Sequence, residues 1–199
     1  VTRSPICSRR DGAKGPVLTY SVACASSAVA LGEAMRAVQR GDVDLAIAGG
    51  SEALVVPGVV GAWQAMQTLA SFAPGEAAQA CRPFAANRSG FVLGEGAAFL
   101  VLESEAHARA RGARVYAHLL GYGLSSDATH LTKPDAAGQA RALRATLRDA
   151  GLQPCDVGYC NAHGTATKVG DVVESEALAT VWGAALADLK VSSTKAMHG

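Results

Sequence analysis

Short apolar runs closed by small residues alternate in this chain with stretches of helical spacing, and that alternation restricts the fold more than any other feature. From Pro16 the run Val-Leu-Thr-Tyr-Ser-Val-Ala-Cys suits a strand, and Ala25 to Arg40 then carries Val29, Leu31, Met35 and Val38 before Gly41. This predicts a strand running into a helix, with Cys24 at the junction. Asp44 to Gly50 and Gly90 to Glu103 read as buried strands. The stretch of about forty residues between them, broken by Pro57, Pro74 and Pro83, is too long for a plain connection. It predicts an excursion over a binding site, helical around Gly61 to Leu69.

The rhythm then repeats. Val115 to Gly123, Val157 to His163 and Leu189 to Thr194 read as strands. Ala136 to Ala150, with Ala140, Leu143 and Leu147 on one face and Gly151 as its stop, reads as a helix, and so does Asp171 to Leu186. Such alternation predicts an α/β fold with a largely parallel sheet covered on both faces. The blocks on either side of Glu105 read as structural cousins. Residues 1 to 15, polar and interrupted by Pro5, Gly12 and Gly15, read as an irregular start.

Composition excludes several classes of function. Eighteen basic residues against seventeen acidic ones leave a formal charge of +1, and aromatics make up 5% of the chain. Neither an electrostatic footprint for nucleic acid nor a stacking platform is present, and no charged surface for an anionic membrane is expected. No apolar run approaches the ~20 residues needed to span a bilayer, and Val1 to Pro5 does not lead into a signal peptide. Cys7, Cys24, Cys81, Cys155 and Cys160 are odd in number and lack paired spacing, so neither a disulfide framework nor a metal site is expected. A cytoplasmic location fits that cysteine usage.

In sheets of this kind ligands collect at the carboxyl ends of strands, where Cys24, His163 and Lys195 fall. Cys24 also stands where a helix begins, so its thiolate is expected to face free backbone N–H groups and the positive end of the helix dipole. A buried cysteine at a tight turn is the plainer alternative. Around His163 the run Asn161-Ala-His-Gly-Thr-Ala-Thr167 reads as a loop made for close backbone approach, with two hydroxyls on the same side of an extended segment.

Five stretches together resemble the β-ketoacyl-acyl-carrier-protein synthases of the thiolase superfamily, closest to the discrete enzymes of fatty-acid or type II polyketide synthesis. They are Ser21-Val-Ala-Cys-Ala-Ser-Ser27, Ala48-Gly-Gly-Ser-Glu52, Gly90-Phe-Val-Leu-Gly-Glu-Gly-Ala97, Asn161 to Thr167, and Ser192-Ser-Thr-Lys-Ala-Met-His-Gly199. The resemblance implies a thiolase-like layered α/β/α/β/α architecture, incomplete here. Residues 15–105 would be the later part of an N-terminal half and 106–199 the first part of a C-terminal half. Residues 1–14 fall outside the motifs.

The implied activity is acyl transfer to Cys24 followed by decarboxylative condensation with a malonyl thioester, and it needs no cofactor. Both substrates ride on the phosphopantetheine of acyl carrier protein, the implied partner. The intact protein is expected to form a homodimer through the strand at about Val17 to Val22. His163 matches a histidine that stabilises the enolate, Lys195 a lysine that fixes it, and Glu174 an acidic member of the same network. Thr165 and Thr167 match residues that bond the pantetheine amides, and Trp63 falls near an aromatic gate to the acyl pocket.

Each has a plainer alternative. Glu174 stands three residues after Asp171, the spacing of a helix-capping pair. Lys195 suits a solvated loop, the threonines suit an ordinary turn, and Trp63 suits a core.

Departures from the family pattern are local. Ala85 and Ser89 replace acidic residues of an Asp-x-x-Arg-Asp-Gly-Phe run, so the pairing inside that loop must differ. Lys168 stands in place of a proline, and Gln67 in place of a carrier-docking arginine. The family's second catalytic histidine follows the glycine that is Gly199 here, so His198 takes a variable position. A central fragment, unable by itself to complete the condensation, is the expectation. A non-elongating partner subunit and a noncatalytic carrier-binding fragment are the alternatives, and the presence of Cys24 argues against the first.

Overall fold

The computed structural model describes residues 12–130 and 133–199. Most of the irregular start expected over residues 1 to 15, Cys7 included, lies outside them. The described chain is mixed α/β. In chain order its regular elements are α1 (Ser26–Arg40), β1 (Leu45–Glu52), α2 (Pro57–Ala65), β2 (Gly96–Glu103), α3 (Glu105–Ala110), α4 (Ala136–Ala150), β3 (Tyr159–Asn161), α5 (Gly170–Trp182), β4 (Lys190–Ser192) and α6 (Lys195–His198). Among the described residues no helix is long and apolar enough to cross a membrane.

These elements fall into two compact units. One holds the described residues up to Ser51 with Ala97–Leu119, and the other holds Glu52–Gly96 with Leu120–Gly199. In the first unit, α1 buries Val29, Gly32 and Met35, which its pitch places on one face. Gly41, at φ 75°, ends the helix by turning its N–H back to the carbonyls of Ala37 and Val38. β1 pairs with β2. The Gly-Gly pair in β1 permits that packing: a Cβ on Gly50 would lie 2.8 Å from Ser27 Cβ, and one on Gly49 would overlap the Ala98 carbonyl of β2.

The second unit is built on β3 and β4, which pair in parallel with Tyr159 opposite Lys190, Cys160 opposite Val191 and Asn161 opposite Ser192. Its core joins Leu178 and Trp182 of α5 to Leu189, with Leu143, Val157, Cys160, Val181, Ala185 and Leu186 packed around them. α4 lies against α5, where the Arg144 guanidinium donates to the Thr180 carbonyl at 3.1 Å. The Asp135 side chain caps α4 by accepting the Gly138 N–H at 2.8 Å, which explains where that helix starts.

The structure corrects the sheet. The expected strands at Val17 to Cys24 and Val115 to Gly123 are not strands, and among the described residues two two-stranded sheets take the place of a larger one. The run expected from Gly90 becomes regular only at Gly96; before it, Phe91 makes a single bridge to Leu69. Nor is β2 covered on both faces, since Phe99, Leu100 and Val101 are each more than half exposed. An apolar β-branched run sets an extended backbone, but a strand also needs a hydrogen-bonded neighbour and a covering layer. Neither requirement is written in the run itself. Helix limits were more local matters: α5 stops at Trp182 and passes into a short 3-10 turn, Gly183–Ala187, where a longer helix was expected.

Candidate functional site

Cys24 belongs to the first unit, and His163, Lys195, Glu174, Thr165, Thr167 and Trp63 belong to the second. Cys24 sits at an exposed turn two residues ahead of α1, and its thiol is free. The turn is closed by Ala25 N–H to the Val22 carbonyl at 3.1 Å and by Ser26 N–H to the Ala23 carbonyl at 3.1 Å. Ala23 takes φ 47°, a left-handed conformation that an alanine adopts only when its surroundings impose it. Ser26 imposes it. Its hydroxyl accepts the Val22 N–H at 2.8 Å and donates to the Ala23 carbonyl at 2.7 Å. That role was not anticipated, although a hydroxyl residue at a helix start is a recognisable signal.

In the second unit the chain leaves β3 and turns sharply at His163-Gly164. The Glu174 carboxylate, from the second turn of α5, accepts the His163 N–H and the Gly164 N–H, each at 2.7 Å. Glu174 is therefore not a capping partner of Asp171. Lys195 is not a solvated loop lysine either, because its Nζ donates to the His163 carbonyl at 2.7 Å. Ser193 completes the set: its Oγ lies 2.9 Å from the Gly164 carbonyl and 3.3 Å from that of His163. All four backbone polar groups of the dipeptide are thus held by side chains, three of them charge-assisted.

His163 is exposed by surface area, yet the protein around its ring still lowers its pKa below the ordinary imidazole value. Desolvation by the protein packed around the ring is the larger cause, and the Lys195 charge is the second; Glu174 and Asp171 oppose them. The ring is biased toward its neutral form, which keeps one N–H as a donor and one bare nitrogen. On β3, burial followed by the Glu174 charge pushes the Cys160 thiol pKa up, so this cysteine favours the inert protonated form.

Beyond the turn, Thr165 and Thr167 bring their hydroxyls to 3.0 Å from each other. Arg88 holds this segment from outside: Nε donates to the Thr167 carbonyl at 3.0 Å and an Nη to that of Lys168 at 2.6 Å. Asp171 is 2% exposed, accepts the Phe84 N–H at 2.7 Å and lies 3.5 Å from Arg88 Nε. In the same loop Ser89 exchanges hydrogen bonds with the backbone of Ser71. Arg88 and Asp171 were not foreseen as site-shaping residues. Trp63, on α2, packs edge-to-face on Phe91 with centroids 5.1 Å apart.

Gly164 has a steric reason to be glycine. Its φ is 40°, and an added Cβ would lie 2.6 Å from Ser193 Cβ and 2.9 Å from the Phe84 ring. Gly164→Ala is expected to destabilise the chain by about 2–3 kcal/mol, combining backbone strain with overpacking. A urea midpoint measured beside the unsubstituted chain checks this; an unchanged midpoint would contradict the geometry.

The family described as beta-ketoacyl synthase, N-terminal domain, matches residues 4–108, and its C-terminal domain counterpart matches residues 116–199. The first match begins inside the segment that the motifs left out. The 3-oxoacyl-[acyl-carrier-protein] synthase 2 of Staphylococcus aureus is 47% identical over 190 residues, covering 94% of this chain and 47% of its own. A solved type II PKS acyl-carrier protein in complex with its ketosynthase bound to the hexaketide contains a chain similar to this one at 37% identity. The TM-score is 0.95, over 98% of this chain and 48% of that one. The ishigamide ketosynthase/chain length factor matches at TM-score 0.89 and 36% identity, over 98% of this chain and 46% of that one. The chain spans about half the length of the curated relatives it matches.

Proposed function

The chain belongs to the β-ketoacyl synthase family, and from that premise we propose that it serves as a 3-oxoacyl-acyl-carrier-protein synthase. The reaction is decarboxylative elongation of a carrier-bound acyl chain in fatty-acid or related type II polyketide synthesis. Cys24 Sγ, as thiolate, attacks the thioester carbonyl, and the pantetheine thiolate leaves and takes up a proton. A malonyl thioester then loses carbon dioxide, and the electron pair of the broken C–C bond becomes an enolate. Its carbon attacks the Cys24 thioester, the C–S bond breaks, and the β-ketoacyl product leaves two carbons longer. His163 donates its N–H to the thioester oxygen as enolate charge develops.

The observation that supports this reading is the grip on the His163-Gly164 turn together with the downward shift of the imidazole pKa. A donor that stays neutral can bond an enolate oxygen without protonating it outright. Lys195 and Glu174 act as positioning residues. Thr165 and Thr167 bond the pantetheine amides, and Trp63 borders the acyl channel. A non-elongating partner subunit would have no use for a free thiol at this turn. The test is direct: after incubation with an acyl thioester of acyl carrier protein, mass mapping should find the acyl group on Cys24. Chain that stays unmodified overturns the proposal.

Several coarser features belong with the same reading. The two small sheets represent parts of the layered α/β/α/β/α architecture, with residues 15–105 and 106–199 as portions of its two halves. Acyl carrier protein is the partner. The location is cytoplasmic, consistent with free thiols on the four described cysteines. We also propose pairing of two copies through residues 17–22, where Leu18 is 68% exposed and Val17 and Val22 are nearly half exposed. Sedimentation is expected to give the mass of a dimer at micromolar concentration, and Leu18→Lys to shift it toward monomer. A monomer before substitution would contradict that assignment.

A further inference from the structure

Among the described residues Asp171 and Ser193 are buried polar or charged residues. A buried hydroxyl is costly unless it is bonded, so its partners indicate what it is for. Ser193 is 6% exposed. Its single proton goes to the Gly164 carbonyl at 2.9 Å, the shorter of its two carbonyl contacts, while its oxygen faces the Lys195 N–H at 3.4 Å.

Glu174 and Lys195 both act on the peptide plane between His163 and Gly164: Glu174 binds the Gly164 N–H and Lys195 the His163 carbonyl. The next plane, between Gly164 and Thr165, carries the Gly164 carbonyl that Ser193 holds. Ser193 therefore fixes the second backbone torsion of Gly164, the residue with the most conformational freedom in the turn. That torsion sets the angle between His163 and the Thr165–Thr167 pair. The fit is close enough that a Cβ on Gly164 would lie 2.6 Å from Ser193 Cβ.

We propose that Ser193 is a positioning residue for His163: through the Gly164 carbonyl and the Lys195 backbone it locks the imidazole in register with the threonine pair. This rests on the reading of His163 as the enolate-stabilising group, and it adds a residue to that machinery.

The test is amide hydrogen exchange, read by NMR on the whole 199-residue chain, with Ser193→Ala. Protection at the His163 and Gly164 amides should fall about five- to tenfold, the worth of one net hydrogen bond, while α4 amides keep theirs. The His163 ring should also titrate closer to the ordinary imidazole value as packing around it loosens. If Ser193→Ala does not fold, Ser193→Cys keeps the same number of side-chain heavy atoms and weakens the bond, and the same local loss is expected. Protection falling equally in α4 and the turn would mark a general stability role and overturn the proposal, as would an unchanged turn. Because no readout uses substrate, failure to acylate Cys24 would count against the synthase reading alone.

Discussion

Replacing Cys24 by alanine is expected to abolish covalent acylation, leaving no adduct on the chain after incubation with acyl-carrier thioester. Cys24→Ser should retain at most about a thousandth of the rate, because a serine hydroxyl without an adjacent base is a far weaker nucleophile than a thiolate. The other described cysteines cannot substitute at the same rate if the turn matters. Cys160 is held toward its protonated form, and Cys81 is only partly exposed. Cys155 is exposed and free but lies in the 3-10 turn Pro154–Asp156, without the strained alanine that precedes Cys24.

The contribution of the turn can be separated from that of the sulfur. Ser26→Ala removes the hydroxyl that binds Val22 N–H and the Ala23 carbonyl, and with it the support for φ 47° at Ala23. Acylation of Cys24 should still occur, but about tenfold more slowly, the effect of one supporting hydrogen bond on a strained residue. Rapid-quench mass spectrometry of the adduct gives both rates. Equal acylation of Cys24→Ala and the unsubstituted chain would remove Cys24 from the mechanism.

Helices were more legible than sheets for reasons visible in particular residues. The limits expected for α4, Ala136 to Ala150, are those observed, because Asp135 and Gly151 stop the helix from positions adjacent in sequence. Val17 to Val22 and Val115 to Gly123 have the composition of strands, but their status depends on pairing partners that no local pattern specifies. The same contrast holds in the site. His163, Lys195 and Glu174 stand out by residue type and motif, and the structure joins them through hydrogen bonds. Ser26, Ser193, Arg88 and Asp171 are ordinary polar residues whose importance lies in which backbone groups they satisfy. For Ser193 and Asp171 those partners lie 29 and 87 residues away, so sequence spacing carries no sign of them, whereas Ser26 acts within four residues.

Glu174→Gln and Lys195→Met are expected to move the His163 titration in opposite directions. Lys195 lowers the imidazole pKa and Glu174 raises it, so removing the lysine charge shifts the midpoint up and removing the carboxylate charge shifts it further down. The stability consequence follows from the sign. A histidine whose folded value lies below its ordinary 6.5 contributes fully above that unfolded value. The contribution is lost as pH falls through the folded value. Glu174→Gln should extend this acid-sensitive window downward, and Lys195→Met should narrow it.

Glu174→Gln also carries the larger loss at neutral pH. A glutamine oxygen can accept one of the two N–H groups, but its NH2 then faces the other, donor against donor. Losing one charge-assisted bond and weakening the second should cost about 3 kcal/mol of stability. Urea unfolding across the acid range, with NMR titration of His163 in each variant, measures both effects. Shifts of the same sign in the two variants would mean that their charges do not act on His163 as the geometry requires.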